Sequence, residues 1–346
     1  VAIVMAFATM PGQTVLVSLF NNAYREALGL SVASLSVAYA AGTFLASLPL
    51  AFVGRAADRF GLRLVVGIVS AGFALALLGL SQAATVTAGL RAQLGAEAGS
   101  LVYGMAAVVP LGVGFFLIRF LGQGSLSMLA GHTVAMWFER RLGTVHAALA
   151  VGGFAAGSAI LPQPTAWLIK THGWSMALMV LAAFVLVLTV PPVLFLFRNR
   201  PEDIGQHLDG DPVEHETHDV LHGGEPPPGD PAFTLRQAAS TRAYWILMAS
   251  VIAPGLIGTA LLFHMSTMLE SAGLEGTADQ VAVCVQPWPI AFGVSTLFFG
   301  WIADRQPPRS LLFLGAVLMA GSCGVCLTAI VPGREAWLTI FLMGAG

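Results

Sequence analysis

The chain has 346 residues, of which 56% are hydrophobic and 10% are charged, and its mean hydropathy is +0.80. Soluble domains carry roughly 25% charged residues, so this composition excludes a soluble globular protein and indicates one that lies in a lipid bilayer. The formal net charge of −2 supplies no general basic field, which argues against a nucleic-acid partner.

Apolar runs long enough to cross ~30 Å of hydrocarbon follow one another along the chain. They cover residues 1–21, 32–54, 64–83, 105–136, 144–169, 175–197, 243–269, 280–302 and 310–331. A tenth run begins at Ala336 and stops at Gly346. The predicted fold class is an all-α membrane protein with about ten spans, the last of them incomplete. Because the first residue is not Met and already lies in an apolar run, we interpret the chain as a fragment that lacks part or all of its last spans.

The basic residues of the loops lie mostly on one side of the predicted membrane. That side carries eleven of them: Arg55, Arg59, Arg63, Arg140, Arg141, Arg198, Arg200, Arg236, Arg242, Arg305 and Arg309. The other side carries four: Arg25, Arg91, Lys170 and Arg334. The positive-inside rule therefore places the first side in the cytoplasm.

Residues 198–242 form the one long polar stretch, which contains three consecutive prolines, several glycines and several acidic residues. This composition cannot bury enough apolar area to fold alone, so we predict a solvated cytoplasmic linker. His215, His218 and His222 have a helical spacing that could hold a soft metal ion. The neighbouring prolines and glycines favour the linker, and we predict no metal and no cofactor. The domain prediction is residues 1–197, 198–242 and 243–346.

A charged motif, Gly-x-x-Ala-Asp-Arg, follows the second apolar run at residues 54–59 and recurs after the eighth at residues 300–305. A charged turn at equivalent places in two halves of a hydrophobic chain indicates internal duplication and a transporter. We expect Gly54 and Gly61 to permit a close approach of two helix ends, and Asp58 to lie at a helix N-terminus. Three arginines are expected to form contacts that break and re-form as the halves rock: Arg55, Arg59 and Arg63. Alternatively, these charges only anchor the helix ends and set the topology.

Arg119 lies well inside the fourth apolar run, where a central arginine costs ~2.5–3.5 kcal/mol on insertion scales. We therefore expect it to face a cavity and to have a partner. Gln123 and Ser127 follow at i+4 and i+8 and form one polar stripe with it on an ideal helix. The alternative is an arginine that is bonded to backbone carbonyls of a neighbouring span.

The first apolar run carries a second polar stripe, formed by Thr14, Ser18, Asn21 and Arg25. It is expected to line the same cavity, next to a helix break at Pro11 and Gly12. Alternatively, Asn21, Asn22 and Arg25 lie at the external water interface. His264 in the seventh run is either a proton carrier or a hydrogen-bonded structural residue. The predicted substrate-binding residues are Arg119, Gln123, Thr14, Ser18 and His264.

Taken together, the spans, the linker and the repeated motif resemble the major facilitator superfamily. The resemblance rests on Gly54, Ala57, Asp58, Arg59, Gly61 and Arg63, and on Gly300, Ala303, Asp304, Arg305 and Arg309. Residues 137–143 (WFERRLG) and 200–205 (RPEDIG) are similar to the monocarboxylate and oxalate/formate branch. The resemblance implies two six-helix bundles. It also implies that the first motif contacts the eleventh span and stabilises the outward-open state. Its predicted gating residues are Gly54, Asp58, Arg59, Gly61, Arg63, Asp304 and Arg305.

Family members with an arginine in the fourth span have it face the central cavity, so the resemblance implies the same role for Arg119. The family motif continues Arg-x-x-Gln-Gly, whereas Gln123 and Gly124 stand one position further along here. In drug antiporters of the family the fifth span ends in Gly-Pro-x-x-Gly-Gly. Residues 157–165 read GSAILPQPT instead, which disfavours that class.

Sequence motifs of zinc hydrolases, phosphate-binding loops and serine hydrolases are absent from the chain, so we predict that it is not an enzyme. We predict a secondary transporter that moves a small organic anion, such as a monocarboxylate, by alternating access. Arg119 could pair with the anion, and no acidic residue lies deep in any run. The alternatives are a proton-driven drug or cation antiporter and a non-transporting membrane receptor on the same fold. The expected partners of this monomer are a small solute, a coupling proton and the lipid of a bacterial cytoplasmic (inner) membrane.

Overall fold

The computed structural model describes residues 1–139, 142–206, 208–210, 235–271, 273–303, 313–321 and 324. Eight helical segments in this part of the chain are long and apolar enough to cross a membrane, and we number them spans 1 to 8. They are Ala2–Leu28, Val32–Phe60, Leu62–Ser81, Leu101–Ala135, Leu142–His172, Trp174–Leu196, Arg242–Phe263 and Ala278–Phe298. All regular structure among these described residues is helical, which confirms the predicted all-α membrane fold. The tenth predicted run lies outside the described residues.

Most spans consist of several helices in series. Span 1 contains Ala2–Ala8, Thr14–Val17 and Asn21–Leu28, with 3₁₀ turns at Met10–Gly12 and Ser18–Phe20. Span 2 contains Val32–Ser47 and Leu50–Phe60, and span 3 is the single helix Leu62–Ser81. Span 4 contains Leu101–Ile118, a π-helix at Arg119–Leu126 and Ser127–Ala135. Span 5 contains Leu142–Leu149, a π-helix at Ala150–Ala155, Ala156–Ile160 and Pro162–His172.

The remaining elements complete the described chain. Span 6 contains Trp174–Pro191 and a π-helix at Pro192–Leu196. Span 7 is the helix Arg242–Phe263, followed after His264 by Met265–Ser271, and span 8 begins with Ala278–Cys284 and continues as Pro287–Ala303. Shorter helices outside the spans are Ala83–Gln93, Pro201–Ile204, Leu208–Gly210 and Leu235–Ala239.

Side-chain caps fix where several helices begin. Ser31 accepts a hydrogen bond from the backbone of Ser34 at 3.1 Å, and Ser100 accepts one from the backbone of Tyr103 at 3.1 Å. Before span 8, Thr277 forms a reciprocal capping box with Gln280. Each cap satisfies amide groups that have no partner inside the first helical turn.

Span 1 lies at the centre of the described structure, with 78% of its most apolar window buried. Around it, span 6 packs along span 3, and span 4 packs along span 2. Consecutive spans run in opposite directions, so we call the two ends of the structure the Arg25 end and the Arg59 end. Spans 1–6 precede residue 197 and spans 7 and 8 follow residue 241; the domain boundaries themselves stay a prediction.

Helix Ala83–Gln93 at the Arg25 end is not expected from the apolar runs, because it is short and carries a charge. Arg91 on this helix lies over the ring of Tyr103, with 3.6 Å between the guanidinium carbon and the ring centroid. Its Nη2 donates a hydrogen bond to the carbonyl oxygen of Leu28 at 2.8 Å. The connection between spans 3 and 4 is thereby fastened to the end of span 1.

The described parts of the predicted linker have structure of their own. The backbone N–H of Asp209 donates to the carbonyl oxygen of Trp137 at 3.1 Å. The carboxylate of Asp209 accepts a hydrogen bond from the backbone of Glu139 at 3.1 Å. The start of the linker therefore packs against the end of span 4, which composition alone did not predict. The three predicted metal-binding histidines lie outside the described residues.

Candidate functional site

Arg119 lies where span 4 changes from an α-helix to a π-helix, and its side chain is buried, with 5% of the residue exposed. Its Nη1 donates hydrogen bonds to the carbonyl oxygen of Gly12 at 3.3 Å and to Oγ1 of Thr14 at 3.1 Å. The guanidinium carbon is 5.2 Å from the ring centroid of Tyr39. Arg119 is thus held by spans 1 and 2, and the predicted bond to a neighbouring backbone carbonyl is one of its contacts.

The carbonyl oxygen of Gly12 can accept a hydrogen bond from Arg119 because span 1 has its predicted helix break at this point. After the 3₁₀ turn Met10–Gly12, Gln13 is extended, with ψ of 147°. The backbone N–H of Leu16 bonds to the carbonyl of Gln13, so the helix does not continue through Gly12. A Cβ on Gly12 would lie 2.6 Å from the carbonyl oxygen of Ile118. Only glycine allows this contact between the break and span 4.

Tyr39 of span 2 completes the surroundings of Arg119, and the sequence analysis did not select it. Its hydroxyl is 2.9 Å from Oγ1 of Thr14. Its ring stacks on Phe263 of span 7, with 3.9 Å between centroids and 19° between planes, and meets Phe115 edge-on at 5.3 Å. A tyrosine inside an apolar run was the available signal, since a buried phenol usually finds a polar partner.

One edge of the guanidinium has no partner among the described residues. Arginine has five N–H donors, and both hydrogen bonds of Arg119 come from Nη1. Within this part of the chain no acceptor bonds to Nε or Nη2, and no carboxylate lies within 4.0 Å of the side chain. The Nε–Nη2 edge presents the parallel donors that bind a carboxylate in bidentate fashion.

The predicted polar stripe on span 4 begins in a π-helix, Arg119–Leu126, where an α-helix was expected. Among the described residues no hydrogen bond joins the side chains of Gln123 and Arg119, and the buried Oε1 of Gln123 has no hydrogen-bond partner. The role of Gln123 in binding stays a prediction. Ser127 instead accepts a hydrogen bond from Nε2 of Gln13 at 3.4 Å. Gln13, at the helix break of span 1, also donates to Oγ1 of Thr9 at 3.2 Å.

The other predicted binding residues take separate places. Ser18 is buried and donates to the carbonyl of Val15 in its own span at 3.0 Å. The structure therefore does not group Ser18 with Arg119. His264 stands at the helix break that follows Phe263, half-buried, with 5.3 Å between the two ring centroids. It is next to the residue that stacks on Tyr39.

Polar contacts join the two halves of the chain at the Arg25 end. Nη1 of Arg25 donates to both carboxylate oxygens of Glu270, at 3.0 and 3.1 Å. Asn21 donates to the carbonyl of Phe263 at 2.5 Å, and Asn22 donates to that of Gly276 at 2.9 Å. Asn21 is buried between the two halves, whereas Asn22 and Arg25 are partly exposed.

A further ion pair at this end joins spans 5 and 8, with Nζ of Lys170 2.8 Å from Oδ2 of Asp279. Span 7 is buried differently along its length. Its last residues, Leu262 and Phe263, are buried, whereas the half toward the Arg59 end is largely exposed. In the described part of the chain, spans 1 and 2 therefore meet span 7 at the Arg25 end.

The first charged motif has one clear anchor, at Arg63. Its backbone N–H donates to Oδ1 of Asn199 at 2.9 Å, and its Nε donates to the carbonyl of Val193 at 3.0 Å. Gly61 permits this turn, because its φ of +86° is unfavourable for residues with a side chain. These contacts all lie in the first half of the chain, between the start of span 3 and residues 193–199. The expectation that Arg63 changes partners as the halves rock stays a prediction.

The structure also corrects the expected positions of Asp58 and Gly54. Span 2 remains helical to Phe60, so Asp58 lies in a last helical turn and not at a helix N-terminus. Its carboxylate is 70% exposed and stands 3.9 Å from Nε2 of His132. No described atom outside its own helix lies within 4 Å of a Cβ built on Gly54, so a close approach is absent there in the described structure.

The other motif arginines contact aromatic rings of their own helix. The guanidinium of Arg55 lies over Phe52 at 5.7 Å, and that of Arg59 lies over Phe60 at 5.3 Å. The second motif residues, Asp304 and Arg305, lie outside the described residues. Among the residues that are described, no cluster of three histidine, cysteine or acidic side chains could hold a metal ion.

Proteins with sequences similar to this chain include two monocarboxylate transporters. Human monocarboxylate transporter 11 is 30% identical over 290 residues, which cover 76% of this chain and 55% of that protein. The mouse protein of the same name is 28% identical over 298 residues, which cover 79% of this chain and 60% of that protein. The chain thus spans less than two thirds of the length of these relatives.

Solved structures with the same fold include the xylose transporter XylE from E. coli. Its partially occluded inward-open conformation has a TM-score of 0.65 at 15% identity, covering 99% of this chain and 82% of that one. Its complex with 6-bromo-6-deoxy-D-glucose has a TM-score of 0.68 at 17% identity, covering 99% and 77%. At this identity the likeness shows the fold alone. Residues 2–346 match the family model of the Major Facilitator Superfamily, and the chain belongs to that family.

Proposed function

We propose that this chain is a secondary transporter that carries a small organic anion, such as a monocarboxylate, by alternating access. The observation that carries the proposal is the buried Arg119 guanidinium, whose Nε–Nη2 edge has no partner among the described residues. A carboxylate that bound there would compensate the cost of a buried positive charge and accept two parallel hydrogen bonds.

The distribution of acidic residues supports an anionic substrate over a cationic one. Within the eight described spans, the acidic residues lie within three positions of a span end: Glu26, Asp58 and Asp279. A cationic drug in the centre of these spans would find a buried arginine and no carboxylate. The relatives named monocarboxylate transporter 11 support the same substrate class.

The contacts at the Arg25 end support one state of the transport cycle. Ion pairs and hydrogen bonds between described residues join the halves there. Basic residues concentrate at the Arg59 end, which the positive-inside rule places in the cytoplasm. We therefore assign this arrangement to an inward-facing state. Residence in a bacterial cytoplasmic membrane, a coupling proton and a monomeric state remain predictions.

The test is binding and uptake of radiolabelled pyruvate by the purified full-length protein in liposomes. Arg119→Lys keeps the charge but loses the planar pair of donors, so pyruvate binding should weaken. Arg119→Gln removes the charge and should weaken binding roughly 100-fold, which corresponds to about 3 kcal/mol. Arg236→Gln, which removes an exposed arginine before span 7, is the matched control and should bind pyruvate normally.

Each other outcome has a definite meaning. Normal folding of Arg119→Gln with unaltered affinity for pyruvate would refute the role of this arginine and remove the main support for an organic anion. Binding of pyruvate without uptake would favour a non-transporting receptor on the same fold. Uptake of organic cations against a proton gradient, with no response to carboxylates, would favour an antiporter.

A further inference from the structure

A continuous set of contacts leads from Arg119 to span 7 through a single side chain, that of Tyr39. The ring of Tyr39 lies 5.2 Å from the guanidinium carbon, and its hydroxyl is 2.9 Å from the Thr14 oxygen that also accepts from Arg119. The ring also stacks on that of Phe263, with 3.9 Å between the ring centroids. Tyr39 is buried, with neighbours from spans 1, 2, 4 and 7.

The partners of Tyr39 belong to different halves of the chain. Thr14 and Arg119 lie in spans 1 and 4 of the first half, and Phe263 is the last residue of the span 7 helix. Phe263 is held in place by contacts of the Arg25 end, because its own carbonyl accepts a hydrogen bond from Asn21. A movement that separates the halves at that end must therefore remove Phe263 from the ring of Tyr39.

Resting on the proposed function, we propose that Tyr39 is a positioning residue that couples the burial of Arg119 to closure of the Arg25 end. While that end is closed, Phe263 keeps the Tyr39 ring against Thr14 and the guanidinium, so that Nη1 and the face toward Tyr39 are engaged and only the Nε–Nη2 edge can meet an anion. When the halves separate there, Tyr39 is free to rotate and the whole guanidinium is free to bind. Affinity for the anion then differs between the two states, which a transporter needs if binding is to be followed by release.

Phe115 provides a matched control for this inference. It contacts the same ring at 5.3 Å, but it lies on span 4, in the same half as Arg119. If Tyr39 were held by its own half alone, a smaller side chain at Phe115 would release Arg119 more than one at Phe263. Coupling between the halves predicts the opposite order.

The experiment measures access to Arg119 while the Arg25 end is covalently closed. In the full-length protein with all native cysteines replaced by serine, Arg25→Cys and Glu270→Cys are joined by a short bifunctional thiol reagent. Phenylglyoxal, which modifies arginine, is then added, and the modified Arg119 peptide is quantified by mass spectrometry. Tyr39→Ala, Phe263→Ala and Phe115→Leu are compared, with Phe263→Leu as the milder variant should alanine prevent folding.

Modification of Arg119 should be at least fivefold faster in Tyr39→Ala and in either Phe263 variant than in the linked parent. The Phe263 variants act through Tyr39, because Phe263 stacks on the ring that lies next to the guanidinium. Phe115→Leu should change the rate by less than twofold. The proposal is overturned if both Phe263 variants fold and are modified at the parent rate, or if Phe115→Leu has the larger effect.

Pyruvate binding to the same linked proteins separates this inference from the proposed function. The Kd for pyruvate should fall at least fivefold in Tyr39→Ala and in Phe263→Leu, because Tyr39 no longer holds one face and Nη1 of the guanidinium away from the anion. A purely structural defect would weaken binding instead and would contradict the positioning role. If no form binds pyruvate but the modification pattern holds, the substrate class is wrong and the coupling through Tyr39 stands.

Discussion

The ion pair between Arg25 and Glu270 should set part of the balance between the two states of the protein. One guanidinium nitrogen contacts both carboxylate oxygens, at 3.0 and 3.1 Å, across the two halves of the chain. Glu270→Gln removes the charge of the acceptor but keeps its size. If the pair forms only while the Arg25 end is closed, this substitution should shift the equilibrium toward the open state.

The burial of the two side chains sets the expected size of the shift. They are 26% and 33% exposed, so the pair is neither fully solvated nor fully buried. Fully exposed pairs contribute about 0.2–1 kcal/mol, and removing water strengthens the attraction but adds a desolvation cost. We expect a coupling of about 1 kcal/mol, which is a factor of about five in the equilibrium constant between closed and open states.

Spin labels on Ala27 and Ser271, two exposed positions beside the pair, report the distance across the Arg25 end. Pulsed electron–electron double resonance measures the closed and open populations in Glu270→Gln, Arg25→Gln and the double variant. A double-mutant cycle then gives the coupling free energy between the two residues. The exposed pair Lys170–Asp279, whose lysine is 71% exposed, is the control, and Asp279→Asn should shift the populations by less than about twofold. A cycle with no coupling, or a shift toward the closed state in Glu270→Gln, would refute the assignment of this pair to the closed Arg25 end.

Three further predictions address the charged motif, the helix break and the topology. Asp58→Asn should lower uptake per molecule at the membrane far more than abundance; unchanged normalised uptake would leave the loop a topological anchor. Gly12→Ala places a Cβ 2.6 Å from the carbonyl oxygen of Ile118, so the free energy of unfolding should fall by about 1–3 kcal/mol. Gly79→Ala is the control, because its added Cβ has no neighbour within 4 Å. Equal melting temperatures of the two variants would contradict this prediction. A protease added to right-side-out vesicles should leave residues 198–242 intact, and cleavage there would reverse the proposed orientation.

Hydropathy predicted the spans well because the requirement it reflects is simple. Every backbone group in hydrocarbon must be bonded within the chain, so each long apolar run becomes a helix. The ends of the spans were less predictable. The second run was taken to stop at Gly54, but the helix continues to Phe60 through charged residues, since their long side chains can reach water from a helix end. That error in the end of the span also put Asp58 at the wrong end of a helix.

The candidate site was partly predictable. A buried arginine and a proline–glycine break are both visible in the sequence, and the structure joins them through the Gly12 carbonyl. The π-helix that begins at Arg119 was not visible in the sequence, and it departs from the 3.6 residues per turn on which the predicted stripe was drawn. Tyr39 and Phe263 lie 224 positions apart, and periodicity within one helix carries no information about such a contact.

Each half of the chain contains a helix break whose backbone carbonyl binds a side chain of another span. Span 1 is interrupted at Met10–Gly12, and the carbonyl of Gly12 accepts from Arg119. Span 7 ends at Phe263 before His264, and the carbonyl of Phe263 accepts from Asn21. Transporters often place their binding sites at interrupted helices, because the broken backbone offers polar groups inside the membrane. The first break binds Arg119, and the second binds Asn21 at the Arg25 end. Tyr39 contacts Thr14 beside the first break and Phe263 at the second, so a movement of either break changes its surroundings.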